Sequence, residues 1–511
     1  MPGLTVTNPL TGAPLYSLDE PGPEALAQIW AQARQAQAQM PALRERVAAV
    51  TRLQHLITER QEAIVDRIVA ETGKSRFDAL SSEIFGSLDA CEYLARQAPK
   101  QLADEKVHTP LALLGKKSRL WHEPLGTVLV IAPWNYPFYQ LLVPALSAFL
   151  AGNAVLLKPS ELTPLKGLLE ELLRAAGFPA QALQLVYGGK ATGQALVEAG
   201  PDLIFFTGSV ASGQKIMQAA AHKLTPVILE LGGKDPMLVF EDVNLERTVN
   251  GALWGGLTTA GQSCTSVERL YVHQNIYAAF VDLLQAKMQQ LRSVATHGEP
   301  AEIGNMTAPF QLQTIESQLA EAVQAGARIL CGGAREPGSL YFPPTLVVDV
   351  THSMALMREE TFGPVLAVMP FADEAEAIAL ANDSSYGLSA SVWSADLQRA
   401  ERVARQLRVG NVSINNVMLT EANPALPFGG RKASGFGSYK GPRPLESFCS
   451  RKAVLIDSQS GKIEANWYPY TTARYQLFSQ LVQSLFSARH SLLKMLRTGL
   501  RLESQAQKEK F

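Results

Sequence analysis

The sequence predicts an α/β fold built on parallel sheets, and two features of the chain carry that prediction. Short apolar runs typical of buried strands recur from about residue 124, and the first five are 127–133 (TVLVIAP), 153–158 (NAVLLK), 183–187 (LQLVY), 202–206 (DLIFF) and 226–231 (PVILEL). Helical stretches separate these runs. Strands that alternate with helices at this spacing form a parallel sheet that is covered on both faces.

Helices are predicted both before and between these strands. Residues 25–105 are rich in Ala, Gln, Leu, Arg and Glu, which favours helices. The clearest helix between two strands is 163–177, with Thr163 as its N-cap, Pro164 in the first helical position and Gly177 just past its end.

A second α/β segment follows Cys264 and predicts a second domain. It contains a predicted helix at 275–291 and further runs typical of strands, at 269–272, 328–331, 364–369, 388–393 and 411–415.

Composition and charge exclude several classes of function. The chain has 511 residues and a formal net charge of -1, so no overall field attracts nucleic acid or an anionic membrane. The spacing of its 4 cysteines, Cys91, Cys264, Cys331 and Cys449, fits neither a zinc site nor a disulfide framework, and the 8 histidines form no cluster. We therefore expect no metal. A cytoplasmic location fits best, because the first residues also lack a signal-peptide pattern.

Glycines and polar residues follow each of the first five predicted strands. The segments after them read WNYPF, PSE, GGK, TGSVASG and GGK. Ligands of parallel sheets bind at the carboxyl ends of the strands, so these segments predict a nucleotide-sized site. The GxGxxG fingerprint is absent. Gly208 and Gly213 instead frame a looser turn that enters a helix, whose N-terminus suits a phosphate.

Seven motifs taken together resemble those of the NAD(P)-dependent aldehyde dehydrogenases. PWNYPF, KPSE, FTGS, ELGGKDP, GQSC, EETFGPV and PFGGRKASGFG occur in that family's order, and the resemblance spans residues 5–455. It implies an aldehyde dehydrogenase-like fold, with two Rossmann-like parallel-sheet domains and a small β oligomerisation arm.

The resemblance also implies a division of the chain into four parts. We expect an NAD(P)-binding domain at 1–105 and 124–231 and a catalytic domain at 232–430. An oligomerisation or bridging arm is expected at 106–123 and 431–458, and a C-terminal extension at 459–511.

Three residues match the family's catalytic machinery. Cys264 matches the nucleophile that attacks the aldehyde carbonyl, a step assisted by a lowered pKa or a nearby base. Asn135 matches the residue that, with the backbone N–H of Cys264, stabilises the tetrahedral alkoxide. Glu230 matches the general base that activates water to hydrolyse the thioester, and a mostly apolar cleft is expected to raise its pKa.

Nine further residues match the family's cofactor site. Lys158 and Glu161 match the residues that hold the adenosine ribose, and a carboxylate there favours NAD over NADP, although some relatives with this glutamate use both. The other matches are Thr207, Gly208, Ser209 and Gly213 at the pyrophosphate turn, and Trp134, Glu360 and Phe362 at the nicotinamide end.

Several of these residues also have purely structural interpretations. Free cysteines are often buried and inert, Asn135 also suits a turn before Pro137, and Phe362 also suits plain core packing. Near Cys264, Glu268 and Arg269 are interpreted as a structural ion pair rather than as a catalytic acid and base.

Two functions from other classes stay open. The first is an acyl-CoA-forming enzyme, and Glu230 argues against it because relatives that pass the acyl group to coenzyme A commonly lack this base. The second is a non-catalytic scaffold that retains the fold. The presence of Cys264, Glu230 and Asn135 together argues against a scaffold.

The expected substrate is an apolar aldehyde. The ending SGFGSYKGPRPLESFCSRKAV resembles the class 3 branch, which oxidises fatty and aromatic aldehydes, and favours a homodimer, whereas the cysteine loop is less like that branch. The loop 417–428 is mostly apolar, with Glu421 as its one charge and no arginine to bind a substrate carboxylate. We expect a medium- or long-chain, aromatic or isoprenoid-like aldehyde.

The tail pattern predicts a basic amphipathic helix. Leucines and phenylalanines recur at helical spacing over 475–502, and the second half carries four basic residues, Arg489, Lys494, Arg497 and Arg501. Docking on the protein itself or on a partner subunit is the first interpretation. Peripheral contact with a membrane surface is the second.

Overall fold

The computed structural model describes residues 4–294, 300–458, 461–487 and 492–509. The chain divides into two compact units. The larger consists of Met1–Ala103 and His122–Arg451, and the smaller of Asp104–Trp121 and Lys452–Phe511.

The strands of the described residues are numbered in chain order. They are β1 Leu4–Thr7, β2 Pro14–Leu18, β3 Glu105–Val107, β4 Lys117–Pro124, β5 Thr127–Ile131, β6 Ala154–Lys158, β7 Leu183–Leu185, β8 Leu203–Gly208, β9 Val227–Leu231, β10 Asp235–Val239, β11 Val267–His273, β12 Arg328–Cys331, β13 Thr345–Val348, β14 Val365–Phe371, β15 Ser389–Trp393, β16 Asn411–Ile414, β17 Gly435–Phe436 and β18 Cys449–Ile456.

The α-helices are numbered in the same way. They are α1 Pro23–Ala38, α2 Leu43–Glu59, α3 Gln61–Thr72, α4 Arg76–Asp78, α5 Gly86–Gln101, α6 Tyr139–Leu150, α7 Leu168–Ala175, α8 Lys190–Glu198, α9 Val210–Ala221, α10 Leu245–Leu257, α11 Tyr277–Met288, α12 Pro309–Gln324, α13 Ala355–Arg358, α14 Glu374–Asn382, α15 Leu397–Ala404, α16 Thr472–Phe486 and α17 Leu492–Lys508. A π-helical turn, Ala79–Phe85, joins α4 to α5.

The first large sheet of the larger unit has the strand order β17-β9-β8-β5-β6-β7. All neighbouring pairs are parallel except β17, which is antiparallel to β9. Alternate residues of β5 enter different cores, because Val128 and Val130 belong to one apolar cluster and Leu129 and Ile131 to another. Both faces of the sheet are therefore covered, as the continuous apolar runs predict.

The second large sheet has the order β12-β13-β14-β11-β10-β15-β16, and its pairs are parallel except β12 with β13. A single large apolar cluster surrounds it, built from residues such as Leu238, Tyr271 and Val368. The predicted α/β class with two parallel-sheet layers is thus confirmed. The four-part division of the chain stays a prediction.

The smaller unit contains much of a three-stranded sheet in the order β18-β4-β3, followed by α16 and α17. The single tail helix predicted over 475–502 is wrong, because α16 ends at Phe486 and the following Ser487 is extended (φ -73°, ψ 154°). Arg489 lies outside the described residues.

The helix predicted at 163–177 also begins later than expected, at Leu168. Leu165 and Gly167 have positive φ values of 49° and 84°, which interrupt a right-handed helix. The Thr163 hydroxyl does not cap the helix but donates to the Trp134 carbonyl oxygen at 2.9 Å. Gly177 follows the helix as predicted, with φ 78°.

Candidate active site

A cleft of about 730 Å³ opens at the carboxyl ends of β5, β6, β8 and β9. It lies where the sequence predicts a nucleotide-sized site. Its lining brings together all three predicted catalytic residues and all but one of the predicted cofactor residues: Asn135, Glu230, Cys264, Trp134, Lys158, Glu161, Thr207, Gly208, Ser209, Glu360 and Phe362.

The loop before Cys264 has an unusual backbone. Thr259, Ala260 and Gly261 have consecutive positive φ values of 52°, 54° and 69°. Such conformations cost non-glycine residues ~1–3 kcal/mol each and persist only where the surroundings enforce them. The buried Asp78 enforces this one, because it accepts hydrogen bonds from the Thr258 hydroxyl at 2.7 Å and the Thr259 N–H at 3.0 Å.

Gln262 fixes the rest of the loop and connects it to Asn135. Its side-chain amide donates to the Thr259 carbonyl oxygen at 3.0 Å, and its side-chain oxygen accepts from the Thr307 N–H at 2.9 Å. Its main-chain oxygen accepts from the Asn135 Nδ2 at 2.9 Å. The Asn135 amide is therefore held against the loop that carries the Cys264 thiol.

A buried ion pair holds the segment that carries Asn135. Lys74 Nζ lies 2.7 Å from Glu83 Oε1, with both side chains 0% exposed, and also donates to the Asn135 carbonyl oxygen at 2.7 Å. The other Glu83 oxygen accepts the Phe138 N–H at 2.8 Å. The ammonium also lies 4.3 Å from the centre of the Tyr136 ring. The turn after β5 is thus fixed from the side of the π-helical turn.

Glu230 lies near the end of β9, and its side chain enters the cleft. Both carboxylate oxygens are buried and have no hydrogen-bond partner among the described residues. Burial raises the pKa of Glu230 well above its usual value, the positive charge of Lys440 opposes that shift, and Glu421 adds to it. A buried carboxyl with a raised pKa and free acceptor oxygens suits proton abstraction near neutral pH.

Glycine is required where the chain after Glu230 passes the cysteine loop. A Cβ on Gly233 would lie 2.3 Å from the Cys264 carbonyl oxygen. No side chain fits at that distance. The ELGG segment therefore brings the strand that carries Glu230 directly against Cys264.

The surroundings of Cys264 oppose its ionisation. The thiol is partly buried, and burial raises its pKa well above the usual value, with Glu421, Asp235, Glu360 and Glu230 adding to the shift. Of the two routes to a reactive thiolate, a lowered pKa and a nearby base, this structure offers the base.

The adenosine side of the cleft combines a cation and a carboxylate. Lys158 Nζ lies 3.3 Å from Glu161 Oε2. Thr207 Oγ1 is buried without a hydrogen-bond partner among the described residues, and Ser209 caps α9 by accepting the Ser212 N–H. An orphaned hydroxyl beside a helix N-terminus fits the pyrophosphate of a dinucleotide.

Gly213 is the predicted cofactor residue that does not line this cleft. It is buried in α9, where an added Cβ would approach the Leu231 side chain to 2.8 Å. Its position allows close packing of the helix on the sheet.

The nicotinamide end contains two aromatic rings and a carboxyl. The Trp134 and Phe362 rings meet edge to face, with centroids 5.3 Å apart, and Phe362 has a positive φ of 51°. Glu360 Oε1 accepts the Gly233 N–H at 3.1 Å. Burial, followed by repulsion from Glu268, raises the Glu360 pKa.

The predicted ion pair between Glu268 and Arg269 is wrong. Glu268 instead binds Lys234 at 2.6 Å and accepts the N–H groups of Thr361 and Phe362, each at 2.8 Å. Arg269 points elsewhere and donates to main-chain oxygens, among them that of Lys234 at 2.7 Å. Glu268 and Arg269 do not meet because adjacent strand residues face opposite sides of a sheet. Glu268 instead fixes the backbone at Phe362, whose φ is positive.

A second cavity, of about 460 Å³, lies where the expected substrate loop meets α5. Its lining includes Phe85, Tyr93 and Leu419 together with Asp89, Glu92 and Arg96. The loop also carries Glu421, whose carboxylate accepts from the hydroxyl of Thr265, the residue after Cys264, at 3.3 Å. The loop thus connects this cavity to the cysteine.

Sequence reasoning missed the one buried cation beside Glu230 within the described residues. Lys440 donates to the Glu421 carbonyl oxygen at 2.8 Å, and its ammonium lies 4.9 Å from the Tyr139 ring and 5.2 Å from the Phe428 ring. Its position three residues after the PFGGRKASGFG motif was the available signal. Lys74, Glu83 and Asp78 were also missed, because nothing near them in sequence marks them.

The family assignment follows from comparison with known proteins. The model of the aldehyde dehydrogenase family matches residues 2–454. A putative aldehyde dehydrogenase, PutA from Anabaena variabilis, superposes with a TM-score of 0.86 at 36% identity, over 91% of this chain and 99% of its own. An aldehyde dehydrogenase from Mycobacterium tuberculosis, solved with NAD+, gives 0.84 at 33% identity over 89% and 94% of the two chains. This chain belongs to the aldehyde dehydrogenase family and is an NAD(P)-dependent oxidoreductase.

Two curated relatives carry more particular names. A 4,4'-diapolycopene aldehyde oxidase from a Methylomonas species is 42% identical, over 86% of this chain and 83% of its own. A putative NADP(+) succinate-semialdehyde dehydrogenase from Mycolicibacterium smegmatis is 36% identical, over 87% of each chain. The names span an isoprenoid and a short anionic aldehyde, so family membership leaves the substrate open.

Proposed function

We propose that this protein oxidises an apolar aldehyde, of medium or long chain, aromatic or isoprenoid-like, to the carboxylic acid with NAD. The observation that carries the substrate class is the composition of the second cavity, which the loop 417–428 lines together with α5. Phe85, Tyr93 and Leu419 give it apolar walls. Among its lining side chains the carboxylates of Asp89 and Glu92 outnumber the cation Arg96, which disfavours an anionic substrate.

Cys264 begins the reaction by adding to the carbonyl carbon. The new carbon–sulfur bond places negative charge on the carbonyl oxygen, and the thiol proton passes to a base, for which Glu230 is positioned. Asn135 Nδ2 and the backbone N–H of Cys264 stabilise the alkoxide. One such donor is typically worth ~3–4 kcal/mol of transition-state stabilisation.

The cofactor site fits NAD in the residues that the cleft offers. NAD+, when bound, supplies the hydride acceptor. Glu161 suits the ribose hydroxyls and repels a 2′-phosphate, while Lys190 and Lys215 in the same lining provide a cationic rim that keeps NADP as the second cofactor. Trp134, Phe362 and Glu360 shape the end of the cleft next to Cys264.

Glu230 completes the cycle by activating water. The alkoxide first collapses to a thioester on Cys264 as its hydride leaves to the acceptor, and Glu230 gives up the thiol proton to solvent. Glu230 then takes a proton from water as the water oxygen bonds to the acyl carbon. The carbon–sulfur bond then breaks, which releases the carboxylic acid and restores Cys264. The unpartnered buried carboxylate supports this role.

The experiment is NADH formation at the reduced-nicotinamide absorbance with decanal, benzaldehyde, citral and succinate semialdehyde. We expect kcat/KM for the best apolar aldehyde to exceed that for succinate semialdehyde by ~10²-fold, the scale of discrimination that pocket contacts supply. Cys264→Ser abolishes the signal. Asp89→Lys should reduce the ratio of kcat/KM for the best apolar aldehyde to that for succinate semialdehyde, because it reverses a charge in the second cavity.

Succinate semialdehyde is the second candidate, favoured by the buried cation Lys440 beside the loop. A higher kcat/KM for succinate semialdehyde than for decanal would establish it instead. Acyl-CoA formation is tested by product analysis with and without coenzyme A. A preparation that turns over no aldehyde with either nicotinamide cofactor points to the scaffold.

We further propose a cytoplasmic homodimer. The ending that resembles the class 3 branch supports the dimer, and the four unpaired cysteines support a reducing compartment. Light scattering coupled to size exclusion measures the mass directly, and a tetramer would contradict the proposed state.

A further inference from the structure

The C-terminal hairpin, defined here as α16 and α17, plays no part in the proposed reaction. The two helices are antiparallel, because Arg474 near the start of α16 donates to the Ala506 carbonyl oxygen near the end of α17 at 2.9 Å. The buried residues of the C-terminal hairpin are Arg474, Ser484, Thr498, Leu502 and Ala506. The seam is thus made mostly of small and polar side chains, and the large apolar residues lie elsewhere.

Those large apolar residues are exposed and form one stripe on each helix. The spacing i, i+3, i+7, i+11 places the four on α16 along one face, and those on α17 recur at the same helical period. Phe486 is 80% exposed and Leu492 69%. The complete set is Tyr475, Phe478, Val482 and Phe486 on α16, with Leu492, Leu493, Leu496 and Leu500 on α17. Contiguous exposed apolar patches of this kind mark an interaction site.

The charges of the hairpin are divided between its two ends. Residues 475–502 contain no Asp or Glu in the sequence, and Lys494, Arg497 and Arg501 are exposed there beside the leucine stripe. The acidic residues of α17 and its end, Glu503 and Glu509, come after these cations in the chain, and they pair with Lys462 and Arg474. The apolar end of the hairpin is therefore also its cationic end.

We propose that the hairpin docks this protein on an anionic lipid surface. Apolar stripes with flanking cations are the pattern by which interfacial helices insert below lipid headgroups and attract anionic lipids. Exposed aromatic residues at the start of the hairpin, Trp467, Tyr468 and Tyr470, suit the headgroup level. No helix in the described part of the chain is long and apolar enough to cross a membrane. Binding in the plane of the interface accounts both for the exposed apolar stripes and for the absence, in the described residues, of a helix that could span the membrane.

The proposal does not depend on the proposed substrate, although the two agree. Apolar aldehydes partition into bilayers, so an enzyme held at the surface meets them at high local concentration. A second copy of this chain is the competing occupant of the stripes. Its pairing would bring Lys494, Arg497 and Arg501 of the two copies together, with no carboxylate from 475–502 to offset them.

The test is co-sedimentation of the full-length protein with phosphatidylcholine vesicles that contain or lack phosphatidylglycerol. We expect binding to the anionic vesicles that weakens with salt, and at least a tenfold weaker affinity for Phe486→Gln/Leu493→Gln. Lys494→Gln/Arg497→Gln should lose the preference for anionic vesicles. Leu397→Gln and Arg405→Gln are matched controls, because these exposed residues lie outside the hairpin, and they should bind as the wild type.

Two results would overturn the proposal. One is equal sedimentation of wild type and hairpin variants. The other is a drop from dimer to monomer in Phe486→Gln/Leu493→Gln, which would assign the stripes to a second copy. Oxidation of a water-soluble short aldehyde should be unchanged in all these variants, so loss of vesicle binding is distinguishable from loss of the proposed function.

Discussion

Lys74→Met is the substitution that tests most directly how the fold holds Asn135. The variant keeps the length of the side chain and removes the charge that lies 2.7 Å from Glu83 in a site where both side chains are 0% exposed. Breaking a buried pair from one side costs ~3–5 kcal/mol, because the remaining charge is left without its partner. At ~2 °C per kcal/mol for a large chain, the melting temperature should fall by ~6–10 °C.

The matched control is Arg60→Met. Its ion pair with Glu171 is as short, at 2.6 Å, but the side chains are 41% and 63% exposed, so the expected cost is ~0–1 kcal/mol. Lys74 also binds the Asn135 carbonyl oxygen, so in Lys74→Met we expect kcat to fall by up to ~10²-fold at an unchanged KM for NAD. That is the scale of a small misplacement of a catalytic group.

The double variant Lys74→Met/Glu83→Leu separates charge from packing. It removes both ions, so it should recover part of the lost stability. Differential scanning fluorimetry and steady-state kinetics are run on five proteins: wild type, Lys74→Met, Glu83→Leu, the double variant and the Arg60→Met control. If Lys74→Met melts within a degree or so of the control, the buried pair does not act as described. The same conclusion follows if the double variant loses as much stability as Lys74→Met and Glu83→Leu lose together.

Four further predictions concern the cleft that Glu230 and Cys264 line. Glu230→Gln should lower the steady rate of NADH formation by ~10²–10⁴-fold, because it removes the base that takes the thiol proton and later activates water; a rate equal to that of the wild type would contradict this. The same variant tests stability. The raised Glu230 pKa means that the folded state binds the proton more tightly than the unfolded state, so the wild type loses stability as pH rises from the unfolded-state pKa of 4.5 through the folded-state pKa. The gain in melting temperature on Glu230→Gln should therefore be larger at about pH 8 than at about pH 5. Lys440→Met removes the charge that opposes the shift, so the pH profile of kcat should move to higher pH, whereas Arg405→Met should leave it in place. Finally, NAD+ brings a cationic ring toward acids that raise the Cys264 pKa, so NAD+ should move the pH dependence of iodoacetamide alkylation to lower pH, while ADP-ribose, which lacks that ring, should not.

Most of the strands that sequence reasoning found are rich in apolar residues. β10 was missed because it begins with Asp235 and Pro236, which argue against a buried strand. The fold buries Asp235 nonetheless, since the Ser389 N–H donates to its carboxylate at 3.0 Å across the sheet. A contact between residues so far apart in the chain leaves no local signal.

The candidate site divides in the same way. The motifs locate the residues that line the cleft, because glycines and polar groups at strand ends are visible in the sequence. The residues that hold those motifs in place are not visible: Asp78 fixes Thr258 from 180 residues away, and Glu83 binds Phe138 from 55. Charged residues on an early helical segment read as solvated until the tertiary fold buries them.

Several buried acidic groups lie in or next to the cleft that holds Cys264, and they affect both stability and chemistry. Burial raises the pKa values of Glu230, Asp235, Glu360 and Cys264 together, so each holds its proton more tightly than in water. The cations that act on these acids are Lys234, Arg269 and Lys440. Each is already engaged, by the Glu268 carboxylate, by main-chain oxygens and by the Glu421 carbonyl oxygen respectively. A cationic group that enters this cavity therefore gains Coulomb energy from several acids at once and lowers their pKa values as it does so. We therefore expect a bound cationic ring to lower the Cys264 pKa, which is the shift that the alkylation experiment measures.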